Sequence, residues 1–144
     1  MIYGDPYEFA IDFDLTWKTD DGRWQYGAFN FIIDGKYLPG TVADTTYSSM
    51  RYLLCACIDD MVNAGELGER IVDLKKMDVG EEENIVDIET GELDQEGVLL
   101  WLGYSGDEER LFYSGDLGQT YKEKRLPRGT VESVIRSLPK PEDL

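Results

Sequence analysis

Residues 8–17 read Glu8-Phe9-Ala10-Ile11-Asp12-Phe13-Asp14-Leu15-Thr16-Trp17, and this stretch decides the fold class. Phe9, Ile11, Phe13, Leu15 and Trp17 share one face, with Glu8, Asp12, Asp14 and Thr16 on the other. A period of two is what a half-buried β-strand needs, because successive side chains leave opposite faces of a sheet. The turn chemistry of Thr19-Asp20-Asp21-Gly22 follows, and the aromatic segment Trp24–Ile33 then predicts a second strand folded back on the first. Asp34-Gly35 suits a tight turn with positive φ, and Lys36-Tyr37-Leu38 before Pro39 can return as a short third strand.

Beyond this meander the period changes. Tyr47, Met50, Leu54, Cys57, Ile58 and Met61 recur at steps of three and four, predicting a helix from about Thr46 to Asn63, capped by Thr45 or Thr46 and ended by Gly65. A second helical or turn segment is expected over Glu66–Met77 with Leu67, Ile71 and Leu74 inward. From Asp78 to Glu96 the chain is dense in acid, interrupted by Ile85, Val86 and Ile88, which predicts a charged loop with one strand. Gly97–Tyr104 suits a buried strand, answered by Arg110–Tyr113 across the turn Ser105–Glu109, and Gln119–Leu126 suits another. Val131, Val134, Ile135 and Leu138 mark a last helix opened by Thr130 and stopped before Pro139. Regular βαβ alternation is missing, so the expectation is α+β: a mainly antiparallel sheet with a central and a C-terminal helix packed on it, residues 1–144 forming one domain.

Composition narrows the function. The sequence holds 30 Asp and Glu against 14 Lys and Arg, a formal charge of −16. Such a surface repels phosphate backbones and anionic lipid and favours a basic protein partner, although large charge also serves solubility alone. Nucleic acid and membrane are therefore not expected partners. No basic stretch, apolar segment or small-residue cleavage site opens the chain, so a cytoplasmic location is expected. Apolar runs such as Leu53-Leu54-Cys55-Ala56-Cys57-Ile58 fall far short of the ~20 residues that span a bilayer.

The chain has no histidine. That removes the imidazole base of the common nucleophilic triads, and no glycine pattern matches a phosphate-binding loop. Cys55 and Cys57 point about 200° apart on a helix and cannot bridge locally; a two-cysteine metal site would lack further ligands. Asp87–Glu96 has acids at short spacing, but Gly91 stands at the fifth position from Asp87 and not the sixth, so it is not an EF-hand loop. Neither metal nor cofactor is expected. Trp17, Trp24, Tyr26, Phe29, Phe31, Trp101, Tyr104, Phe112 and Tyr113 fall where sheet cores use aromatics, and they lack the basic neighbours of a base-stacking platform.

The segments Tyr3-Gly4-Asp5-Pro6-Tyr7-Glu8-Phe9-Ala10-Ile11 and Leu102-Gly103-Tyr104-Ser105-Gly106-Asp107-Glu108-Glu109-Arg110-Leu111-Phe112-Tyr113-Ser114 resemble the immunity protein 42 family of bacterial polymorphic-toxin and contact-dependent inhibition systems. Asp34-Gly35, Tyr121-Lys122-Glu123 and Gly129-Thr130-Val131-Glu132 follow in the same order, so the resemblance spans nearly the whole chain; the acidic middle from Asp78 to Glu96 lies outside it. It implies a non-catalytic protein that binds and blocks the C-terminal domain of a cognate toxin in the cytoplasm. Many such toxins are nucleases with cationic clefts.

No family motif assigns toxin-contacting residues, so they are inferred from charge. Glu81, Glu82, Glu83, Asp87 and Glu89 come first, then Asp107, Glu108 and Glu109 at the hairpin tip. An acidic adaptor, a nucleic-acid mimic or a hydrolase using paired carboxylates are the competing functions.

Overall fold

A computed structural model describes residues 1–75 and 79–144. The expected α+β composition is present, but the strands divide between two antiparallel sheets and not one. The first holds β1 (Ile2–Asp5), β2 (Phe9–Lys18), β3 (Gln25–Ile33) and β4 (Lys36–Leu38) in that order, with β5 (Asp44–Thr46) also paired to β3. The second runs β6 (Ile85–Ile88), β7 (Leu99–Ser105), β8 (Glu108–Ser114), β9 (Lys122–Pro127). Helix α1 (Tyr47–Val62) links them and α2 (Thr130–Ser137) follows.

Register explains the core. Phe9, Ile11 and Phe13 of β2 stand opposite Ile33, Phe31 and Phe29 of β3, so one face of the sheet is a wall of large apolar groups. Leu100, Leu102, Leu111 and Tyr113 of the second sheet, with Met50, Leu54 and Met61 of α1 and Val131 and Ile135 of α2, join them in one buried cluster. Each such side chain contributes roughly 1.5–3 kcal/mol on leaving water. Cys57 is buried and Cys55 half-buried, both as free thiols. Cys57 Sγ accepts the Glu89 N–H at 3.3 Å and so ties α1 to the end of β6.

The inward face assigned to β2 holds only as far as Phe13. Between Leu15 and Trp17 the pairing slips by one residue, so Trp17 stands opposite Tyr26 and stacks on it at 4.3 Å, 50% exposed. A bulge turns every following side chain to the other face. Trp24 is likewise exposed, and Leu15 with it, whereas Phe29, Phe31, Tyr104, Phe112 and Tyr113 are buried as expected. Neither Thr45 nor Thr46 caps α1 through its side chain; Thr45 Oγ1 donates to the Gly27 carbonyl, and the helix ends at Val62, before Gly65.

The described part of Glu66–Met77 is an irregular strap and not a helix. It lies over the outer face of the second sheet, where Leu67, Val72 and Val79 pack on Phe112. Without helical spacing Ile71 points out, 93% exposed, and Val72 is the buried residue. Met77 and Asp78 lie outside the described residues. Two features fasten the strap. Leu67 sits so close over Gly103 that a Cβ there would come within 2.5 Å of Leu67 Cδ2. Arg110, 4% exposed, donates to the carbonyls of Gly68 and Arg70 and to the carboxylate of Glu123.

Candidate functional site

The eight acids chosen from the sequence separate into three environments. Glu109 is fully buried, because alternation along β8 puts it on the same face as Leu111 and Tyr113. Its Oε1 accepts the Gly129 N–H at 2.6 Å and its Oε2 the Val131 N–H at 3.0 Å, so it supplies the N-terminal cap of α2 that Thr130 was expected to provide. Thr130 Oγ1 instead donates back to the Pro127 carbonyl. Burial raises the Glu109 pKa above the usual carboxylate range, although both backbone donors and Arg128 pull the other way. The structure therefore moves Glu109 from the surface to the interior.

The hairpin tip is the second environment. The turn is Gly106-Asp107, and its other groups are engaged internally. Arg128 donates to the Gly106 carbonyl and to Glu66, and its guanidinium lies 4.5 Å from the Tyr104 ring centroid. Glu108 pairs with Arg125, which also holds Glu69. The Arg125 and Ser105 hydrogen bonds depress the Glu69 pKa to about 2. Among the described residues the Asp107 carboxylate is the one of the three tip acids with no hydrogen bond or ion pair.

The third environment is the acidic ridge. Glu81, Glu82 and Glu83 precede β6, and the antiparallel pairing of Ile85 with Gly103 and Ile88 with Leu100 sends them toward the hairpin-tip end while Glu89 lies at the opposite end. Arg70 reaches the carbonyl of Glu83 and not its carboxylate. Asp87 stands opposite Trp101 on the outer face. Together with Glu89, Asp94 and Trp101 it lines a small cleft of about 150 Å³. None of Glu81, Glu82, Glu83, Asp87, Glu89 or Asp94 has an ion-pair partner among the described residues. Asp87 keeps part of its surface in solvent, yet the surrounding protein excludes enough water, with Glu89 and Asp94 adding like charge, to raise its pKa to about 6. A carboxylate so placed gains from an incoming cation.

Asp94 and Trp101 were not foreseen as cleft residues. The acid run hides Asp94 among its neighbours, and Trp101 reads as a core residue until the register places Asp87 across from it. No group of three or more metal-ligating side chains comes together among the described residues.

These features define a two-sheet α+β protein in which Arg125 and Arg128 are engaged at the hairpin-tip end and the β6 edge is left acidic. The crystal structure of CdiI from Burkholderia dolosa AUO158 has the same fold: TM-score 0.73, 24% identity, covering 94% of this chain and 96% of that one. An uncharacterized protein of Pasteurella multocida (strain Pm70) is 37% identical over 68 residues, which is 46% of this chain and 41% of that relative. The model of the immunity protein 42 family matches residues 1–141, and the chain belongs to that family. No helix among the described residues is long and apolar enough to cross a membrane.

Proposed function

We propose that this protein neutralises the C-terminal toxin domain of a contact-dependent inhibition system by stoichiometric binding in the cytoplasm, without catalysis, and that the toxin surface it covers is basic. The observation that supports this reading is the ridge Glu81, Glu82, Glu83, Asp87 and Glu89, extended by Asp94, whose carboxylates lack cationic partners among the described residues while the arginines of the same sheet are engaged elsewhere. Uncompensated charge of one sign raises the rate of encounter with the opposite sign and suppresses wrong partners. If the toxin is a nuclease, ridge carboxylates would occupy the places of substrate phosphates. Asp107 and Glu108 stand at the rim, and Glu109 serves the fold.

The test is co-expression with the C-terminal domain of the large exoprotein encoded immediately upstream. Survival and a co-purifying one-to-one complex are expected. Cell death with no complex would overturn the reading.

A further inference from the structure

We infer that the toxin is anchored in the groove between α1 and the β2–β3 hairpin, lined by Trp24, Ser48, Ser49, Tyr52 and Leu53, which takes a long cationic side chain, a lysine or arginine, from the toxin domain. The inference rests on the immunity reading above and adds to it the seat of the anchor.

The helix already has its core face. Tyr47, Met50, Leu54, Cys57, Ile58 and Met61 are buried, and Tyr52 lies off that stripe, 73% exposed. Trp24 is 42% exposed, and the two aromatics line one open, mainly apolar groove of about 400 Å³. Two large aromatics exposed side by side in one groove are costly unless something covers them. Ser48 Oγ, in the wall of the same groove, has no hydrogen-bond partner among the described residues.

Charge selects the occupant. Glu92 sits at the head of α1, where its Oε1 accepts the Thr46 N–H at 3.1 Å. Beside it, Gly91 packs so closely on α1 that a Cβ would stand 3.0 Å from Leu53 Cδ1, and Leu53 is a groove residue. Gly91 also borders the Asp87–Asp94 cleft. Gly91 and Leu53 thus bring the groove up against the Asp87–Asp94 cleft, an aromatic seat with carboxylates beside it. Arg23, next to Trp24, shares its turn with Asp20 and Asp21, and Arg51 lines the separate α1–α2 groove with Cys55 and Ile58. A methylene stem against the aromatic faces with its head toward Glu92 satisfies both halves of the site, through cation–π contact and a charge-assisted hydrogen bond. A second copy of the chain would bring another 16 negative charges to the same carboxylates, which disfavours it as occupant.

The experiment uses the full chain and the purified cognate toxin domain, with Kd and dissociation rate measured for wild type, Tyr52→Ala, Trp24→Ala and Glu92→Gln. Thermal unfolding of each variant checks the fold; exposed Tyr52 is the variant that leaves the core untouched. Tyr52→Ala is expected to weaken binding by about ten-fold or more, chiefly through faster dissociation, because buried aromatic anchors dominate interface energetics. Affinities within about two-fold of wild type for both aromatic variants, with wild type binding tightly, would overturn the groove and leave the immunity reading standing. Absence of binding by wild type would overturn both. Self-association of the chain that Tyr52→Ala abolishes would reassign the groove to a second copy and overturn the proposal.

Discussion

Glu109 Oε2 lies 3.0 Å from the Val131 amide nitrogen and its Oε1 2.6 Å from that of Gly129, so a side chain in the middle of the second sheet caps a helix 20 residues further along the chain. Ncap position belongs to Gly129, whose φ of 92° a side chain would strain and which has no group of its own to offer. The cap is supplied from a neighbouring strand.

Glu109→Ala leaves a buried and a half-buried N–H group unsatisfied and a cavity beneath α2. Loss of a cap with unpaired donors is expected to cost about 2–4 kcal/mol in denaturant unfolding. Glu109→Gln should cost less, since one amide oxygen still accepts. Neither should change toxin affinity at temperatures where the variant is folded, because the residue is fully buried. A large affinity loss in a fully folded Glu109→Gln would return this carboxylate to the binding surface.

Arg110 predicts a local effect. Its two bonds to the Gly68 and Arg70 carbonyls hold a strap that has little regular structure of its own. Arg110→Lys cannot reproduce the forked geometry that also grips Glu123. Hydrogen exchange over residues 66–75 should accelerate by about ten-fold or more while the β2–β3 amides keep their protection. Equal acceleration in both sheets would mean that Arg110 supports global stability and not the strap.

Where pattern and burial coincide, the fold was legible. The Phe9–Phe13 alternation and the α1 stripe each reached the structure intact, because the period of the apolar groups fixed the element and its buried face together. Pattern failed where a single local event reset it. The Leu15–Trp17 bulge reversed a face with no turn residue to announce it, and Ile71 was placed inward on a helical period that an irregular strap does not obey. Pairing choice was legible in part: the turn Ser105–Glu109 announced the β7–β8 hairpin, but nothing says that β6 and β9 close on it in a second sheet and that none of these strands joins β3. Glu109 was legible in part. It is in phase with Leu111 and Tyr113, but its neighbours Asp107 and Glu108 made the three look like one turn. The Trp24–Tyr52 groove joins residues of a hairpin and a helix, a proximity that only the folded chain creates; the visible signal was an aromatic lying off the apolar stripe of α1.

Asp87 predicts a pH dependence with a definite sign. Its ordinary pKa of 3.8 is raised to about 6, so between those values the folded chain retains a proton that the unfolded chain has released. Its contribution therefore favours the folded state at low pH and is lost as pH rises toward 6. Asp87→Asn removes the penalty. The stability gain of the variant over wild type should grow from about pH 4 to about pH 6 and stay constant above, as read from urea unfolding of both proteins across that range. A gain independent of pH would show that the cleft does not perturb this carboxylate. A toxin cation in the cleft would favour the ionised form, so wild-type affinity should also rise over the same interval.

Charge reversal separates the ridge from the hairpin tip. Exposed carboxylates steer encounter more than they hold the complex, so Asp87→Lys with Glu89→Lys should lower the association rate constant about ten-fold or more at low salt and change dissociation less. Glu81→Lys, Glu82→Lys and Glu83→Lys lie toward the tip end of β6 and should act more weakly, since they are further from the cleft and groove. Asp107→Lys, at the far turn beside the cations Arg125 and Arg128, should act least. Added salt should bring all variants together, because interactions between exposed charges fade beyond a Debye length of about 8 Å at physiological ionic strength. Stopped-flow association across a salt series decides the matter: rates that ignore both the reversals and the salt would mean that the ridge keeps the protein soluble and takes no part in finding the toxin.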